Sequence, residues 1–247
     1  MQETALEATQ STVMPMFGSA HLLPIGLLIL FVVFLVYLKK SSVSERFLNL
    51  LGDGLAWTLF FCFPVFVTLQ VLDGTITWDT ALPLYPCPAS SLIAPLLVRT
   101  RNSTFFNIIF YWVFAGTVQA VITPEIKNTF PHYEYFYFWI CHAGLLALLA
   151  YMLIIKDAQP TLRGILPAFI VCNVLVAISA VTNVLLGTNY YYLSMKPSVP
   201  TVIDYLGPWP WYIVGMETVG LVQFFLSFAL FWFVKNKLLG QKLPKNA

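Results

Sequence analysis

The chain has 247 residues, of which 59% are hydrophobic, 16% aromatic and only 10% charged, with a formal net charge of +2. A soluble domain carries roughly 25% charged residues, so there is too little polar surface here to cover a water-soluble globule. With a mean hydropathy of +0.78, this composition excludes a cytosolic enzyme and a disordered chain, and its few scattered cations exclude a nucleic-acid partner.

Residues 1–20 are polar, with Glu3 and Glu7 and no Lys or Arg. A signal peptide begins with a basic segment, so the first span is expected to be retained. A helix needs about 20 apolar residues to cross a hydrocarbon core of roughly 30 Å. Seven segments qualify: 21–38, 53–71, 82–98, 105–122, 134–155, 165–186 and 212–234. The third contains Pro83, Pro86, Pro88 and Pro95. Each proline removes a backbone donor and crowds the preceding turn, so a third helix broken by prolines is expected, with the break at Pro86-Cys87-Pro88. Such backbone is tolerated at membrane depth only where protein or a water-filled cavity surrounds it. The longest outside connection, 187–211, is rich in aromatics and prolines and reads as an ordered cap. The organisation expected is a polar segment over 1–20, a seven-helix transmembrane domain over 21–234 and a basic tail over 235–247. The fold class is an all-α polytopic membrane protein.

The Lys and Arg residues set the expected orientation. Eleven fall on one set of alternate connections, among them Lys39, Lys40, Arg46, Arg99, Arg101, Lys156, Arg163 and the four lysines of the tail. Only Lys127 and Lys196 fall on the other. The asymmetry predicts an N-terminus outside and a C-terminus in the cytoplasm.

Polar groups inside a bilayer are costly and default to a functional hypothesis. At 1.5 Å per residue, Cys87 lies roughly 7 Å from the outer surface, His142 roughly 12 Å and Glu217 roughly 7 Å. His21, Gln119 and Asn183 fall near the outer ends of the first, fourth and sixth spans. The clustering in the outer third predicts one pocket open toward the outer leaflet. Bland readings exist for each residue. Cys62, Cys141 and Cys172 read as small hydrophobes, a lone histidine can bond a neighbouring helix, and the tyrosines at 133, 135, 137 and 190–192 read as an interfacial belt. The four cysteines show no disulfide or zinc spacing. His21, Cys87, His142 and Glu217 come from four spans, so no local pattern supports a metal site, and no cofactor is implied.

Four segments carry a resemblance: Leu82-Pro83-Leu84 with Cys87; Ala115-Gly116-Thr117 through Gln119-Ala120 to Thr123-Pro124-Glu125; Phe138 through His142; and Asn189-Tyr190 with Lys196-Pro197, followed by Leu206-Gly207-Pro208-Trp209-Pro210-Trp211-Tyr212. In these the chain resembles the YwaF-type family of integral membrane proteins, related to the animal transmembrane protein 164 branch of ether-phospholipid acyltransferases. The resemblance implies acyl transfer through an acyl-cysteine, with Cys87 and His142 as the catalytic pair. The expected partners are membrane phospholipids or lysophospholipids, with no obligate protein partner. The expected location is the plasma (inner) membrane of a bacterium. Both residue types suit the chemistry, because a thiol needs a base to become a nucleophile and that base needs a third group to orient it. His21, Gln119, Asn183, Asn189, Trp211 and Glu217 are the candidate orienting or substrate-binding residues. Pro88 removes the amide that follows Cys87, which argues against an oxyanion hole at that position. The alternative is a membrane transporter or small-molecule-binding protein, suggested by the interrupted third span and the intramembrane Glu217.

Overall fold

The computed structural model describes residues 15–124, 126–197 and 202–238. Residues 1–14, most of the polar segment, and 239–247, most of the basic tail, lie outside the described residues, as does Glu125. The helices are α1 (Ser19–Lys40), α2 (Glu45–Asp73), α3 (Trp78–Ala81), α4 (Pro86–Thr100), α5 (Ser103–Trp112), α6 (Val118–Ile122), α7 (Tyr133–Ile154), α8 (Ile165–Leu186) and α9 (Trp211–Phe233). They form seven stretches long and apolar enough to cross a membrane, with α3 and α4 together making the third and α5 through α6 the fourth.

The third stretch is interrupted upstream of the expected point. The chain leaves helical conformation at Leu82 (ψ 139°) and re-enters after Tyr85 (ψ 152°), each directly preceding a proline. A residue before proline is pushed out of the α region. Pro86 opens α4, where its missing N–H costs nothing. Cys87 therefore sits in the first turn of a helix and not in the break itself. The fourth stretch carries a π-helical segment at Val113–Thr117, which shifts the register of α6 against α5 by widening one turn.

Packing centres on α2, α4 and α7, with α1 against α7 and α5 against α8. Leu35, Leu59, Leu97, Ile109, Leu145 and Leu148 are fully buried between them. Two close approaches need glycine. A Cβ on Gly52 would collide with the ring of Tyr151, and one on Gly164 with the side chain of Asn107. The outer faces stay apolar, with Leu23, Leu30, Val181 and Val184 exposed, as a lipid-facing surface requires.

The two ends of the bundle differ. At one end Lys39 pairs with Asp157, Arg99 with Asp53, and Arg101 and Lys156 converge on Asn49. At the other end the chain over 187–197 folds onto α3 and the interruption before α4. Tyr190 donates to the carbonyls of Trp78 and Leu82, and the Asn189 amide donates to Asp79.

Candidate functional site

Cys87 is half-buried in the first turn of α4. Its sulfur lies 3.3 Å from the Thr117 hydroxyl at the end of the π segment, and Thr117 is fully buried. The turn is poor in donors. Pro86 and Pro88 have no N–H, and the Ala89 amide is spent on the Tyr85 carbonyl. Among the described residues the Cys87 amide makes no backbone hydrogen bond, and the Thr117 hydroxyl is the partner of the sulfur. One turn on, Ser91 bonds the Cys87 carbonyl and lies 3.4 Å from the sulfur of Cys141 on α7.

His142 follows Cys141 on α7, which packs directly against α4. Its ring stacks on Phe138 with centroids 4.2 Å apart. Nδ1 lies 2.8 Å from the Phe138 carbonyl. A carbonyl can only accept, so Nδ1 carries the proton and Nε2 keeps the lone pair. No hydrogen bond joins His142 to Cys87; the thiol's partner is Thr117.

Beside Pro86 opens a cavity of about 240 Å³, lined among others by Gly116, Cys172, Tyr191, Glu217 and Gln223. Glu217 accepts from Asn173 at 3.0 Å, and Tyr191 donates to the Leu84 carbonyl at 2.8 Å. Burial pushes the Tyr191 phenol up, so it remains a donor. The Glu217–Asn173 bond shows how α8 and α9 are set against each other. Asn173 stands thirteen residues before the end of α8, about 20 Å along it, whereas Glu217 is six residues into α9, about 9 Å. The two helices are offset along the bundle, so equal counts from their ends do not mean equal levels.

The remaining candidates do not gather in that cavity. His21 accepts from the Phe17 amide and donates to the Val121 carbonyl, so both ring nitrogens are occupied at the α1–α6–α7 contact. Asn183 bonds Thr188 and both backbone groups of Tyr190. Asn189 bonds Ser194 and Met195. These two asparagines hold the cap. Gln119 is exposed on α6, and Trp211 is 66% exposed at the start of α9. Similar depth thus did not mean a shared pocket, because residues at one level of a bundle face different sides of it. Among the described residues no three His, Cys, Asp or Glu side chains gather as a metal would require.

Sequence reasoning missed Thr117, Tyr191, Cys172 and Gln223 as neighbours of the site. A small polar residue within an otherwise apolar span was the available signal for Thr117. Tyr191 gave none, since it reads as part of an aromatic belt.

The sequence pattern of the TMEM164 family matches residues 16–228. The chain belongs to the TMEM164 family. A protein of Treponema pallidum (strain Nichols), described as uncharacterized, is 29% identical over 149 residues, which cover 60% of this chain and 61% of that relative. No solved structure matches. The TMEM164 match includes Cys87, Thr117, His142 and Glu217 and ends inside α9.

Proposed function

We propose that this TMEM164-family membrane protein is a lipid acyltransferase of the YwaF type, with Cys87 as nucleophile and His142 as base. The observation that carries the reading is a half-buried thiol, hydrogen-bonded to a buried hydroxyl, in the helical turn whose first residue, Pro86, lines a cavity together with Tyr191 and Glu217. The Phe138 carbonyl supports it by leaving the lone pair on His142 Nε2, the tautomer a general base needs. That carbonyl takes the orienting role for which Gln119, Asn183 and Glu217 were candidates. Catalytic hydrogen bonds often tighten only in the substrate complex; the reading requires Nε2 and the thiol to come within reach there.

In the first half-reaction His142 takes the thiol proton and the sulfur attacks the acyl carbonyl of a phospholipid. The S–C bond forms, the ester C–O bond breaks, and the leaving alkoxide takes the proton back from the imidazolium. In the second, the hydroxyl of a lysophospholipid gives its proton to His142 and attacks the thioester. The new C–O bond forms and Cys87 leaves as thiolate, reprotonated by the imidazolium. The Cys87 amide and Thr117 hydroxyl are the donors available to the oxyanion. The basic end faces the cytoplasm of a bacterium in this reading, which puts Cys87 near the outer leaflet.

The test is transfer of an acyl chain from phospholipid to lysophospholipid by purified protein. Cys87→Ser abolishes transfer, and His142→Ala lowers it by about 100-fold or more. A lipid-like electrophile labels Cys87 before Cys62. Equal labelling of the two, unchanged by His142→Ala, overturns the reading. Glu217 in the cavity wall, held by Asn173, favours a second one, a transporter or small-molecule binder, which saturable solute uptake into liposomes without acyl transfer would select.

A further inference from the structure

A second cavity lies at the basic end, between the C-terminal turns of α7 and α9, and encloses about 430 Å³. Sites for small molecules span roughly 300–1,000 Å³. Phe114, Leu153, Leu230 and Phe231 make its apolar wall. Its polar groups, Asp157, Gln159 and Lys235, come from the chain just past α7 and the turn that continues α9. Basic pockets between helices at this level of a membrane protein hold lipid headgroups.

The polar groups define the occupant. Lys39 already sits 2.6 Å from Asp157 and neutralises it locally. Lys235 lies over the Phe231 ring at 5.7 Å, and among the described residues no carboxylate forms an ion pair with it. Gln159 Oε1 is buried with no hydrogen-bond donor, an arrangement that costs free energy until a donor arrives. The cavity thus offers a cation to an anion and a buried acceptor to a hydroxyl. Lys156 and Arg101 at the same end, both held by the neutral Asn49, add a positive field that favours net negative charge over a zwitterion.

We propose that this cavity binds one anionic, hydroxyl-bearing glycerophospholipid, of which phosphatidylglycerol is the type. Its phosphate meets Lys235, a headgroup hydroxyl donates to Gln159 Oε1, and an acyl chain lies along Phe114, Leu230 and Phe231. The site is separate from Cys87 and does not depend on acyl transfer.

The experiment titrates the full-length protein in mild detergent with phosphatidylglycerol, phosphatidylethanolamine and phosphatidylcholine of identical chains, counting bound lipid by native mass spectrometry. One phosphatidylglycerol per chain binds, about ten-fold more tightly than phosphatidylcholine, which has neither net charge nor a donor. Lys235→Ala weakens it about five-fold, one surface lysine's worth of attraction, and Lys235→Arg retains it. Gln159→Leu narrows the preference over phosphatidylcholine. Equal affinity for phosphatidylglycerol and phosphatidylcholine overturns the proposal, and this comparison needs no variant to fold. Equal affinity for phosphatidylethanolamine overturns the anionic assignment, and unchanged binding in folded Lys235→Ala overturns the location.

Discussion

A histidine inside a helical bundle has two ring nitrogens to satisfy, and what satisfies them decides what it can do. His21 spends both on backbone, accepting from Phe17 and donating to Val121, so it serves as a clamp between helices. His142 spends Nδ1 on the Phe138 carbonyl, and in the proposed reaction Nε2 is the base. Glycines divide in the same way. Gly26 has open space where a Cβ would go, whereas Gly52 abuts the Tyr151 ring. Gly52→Ala should destabilise the detergent-solubilised protein by about 1–3 kcal/mol through overpacking. Gly26→Ala should be neutral or stabilising by up to about 1 kcal/mol, since Gly costs entropy within a helix. Thermal unfolding of the two variants side by side checks the contrast.

At the scale of elements, the interruption between α3 and α4 is useful only because another element covers it. The carbonyls of Trp78, Leu82 and Leu84 would be unpaired at membrane depth, and Tyr190 and Tyr191 donate to them. Asn183 holds that cap by bonding Thr188 and both backbone groups of Tyr190. Asn183→Ala orphans these buried groups, at about 1–3 kcal/mol each. The expected result is a loss of roughly 2–4 kcal/mol and faster proteolysis between residues 187 and 197. A variant cut no faster than the wild type would remove Asn183 from this role.

For the whole molecule, the segregation of charge has a topological consequence. Lys39, Arg99, Arg101 and Lys156 all sit at one end of the bundle, the first two paired with Asp157 and Asp53 and the last two sharing Asn49. With that end in the cytoplasm, a membrane-impermeant maleimide applied to intact cells labels Ile76→Cys and spares Ser42→Cys; lysis exposes both. The reverse pattern would invert the orientation and move Cys87 to the opposite leaflet.

The amino-acid sequence alone yields the architecture: seven spans that fall on the seven apolar helical stretches, although the second helix begins at Glu45, eight residues ahead of the expected 53. Hydropathy fixes this, because a bilayer demands about 20 apolar residues per crossing whatever the helices pack against. The prolines of 83–88 also marked the third span as interrupted, although the interruption falls at 82–85, because a proline disturbs the residue before it and is at home in a helix's first turn. Which polar residues meet is set by the packing of the helices. Depth along a helix says nothing of the direction a side chain faces, so His21, Asn183 and Asn189 went to structural bonds while Glu217 found Asn173 across an unforeseen helix offset. The pairing of Cys87 with Thr117 follows from a π segment, a local register shift that no apolar periodicity encodes.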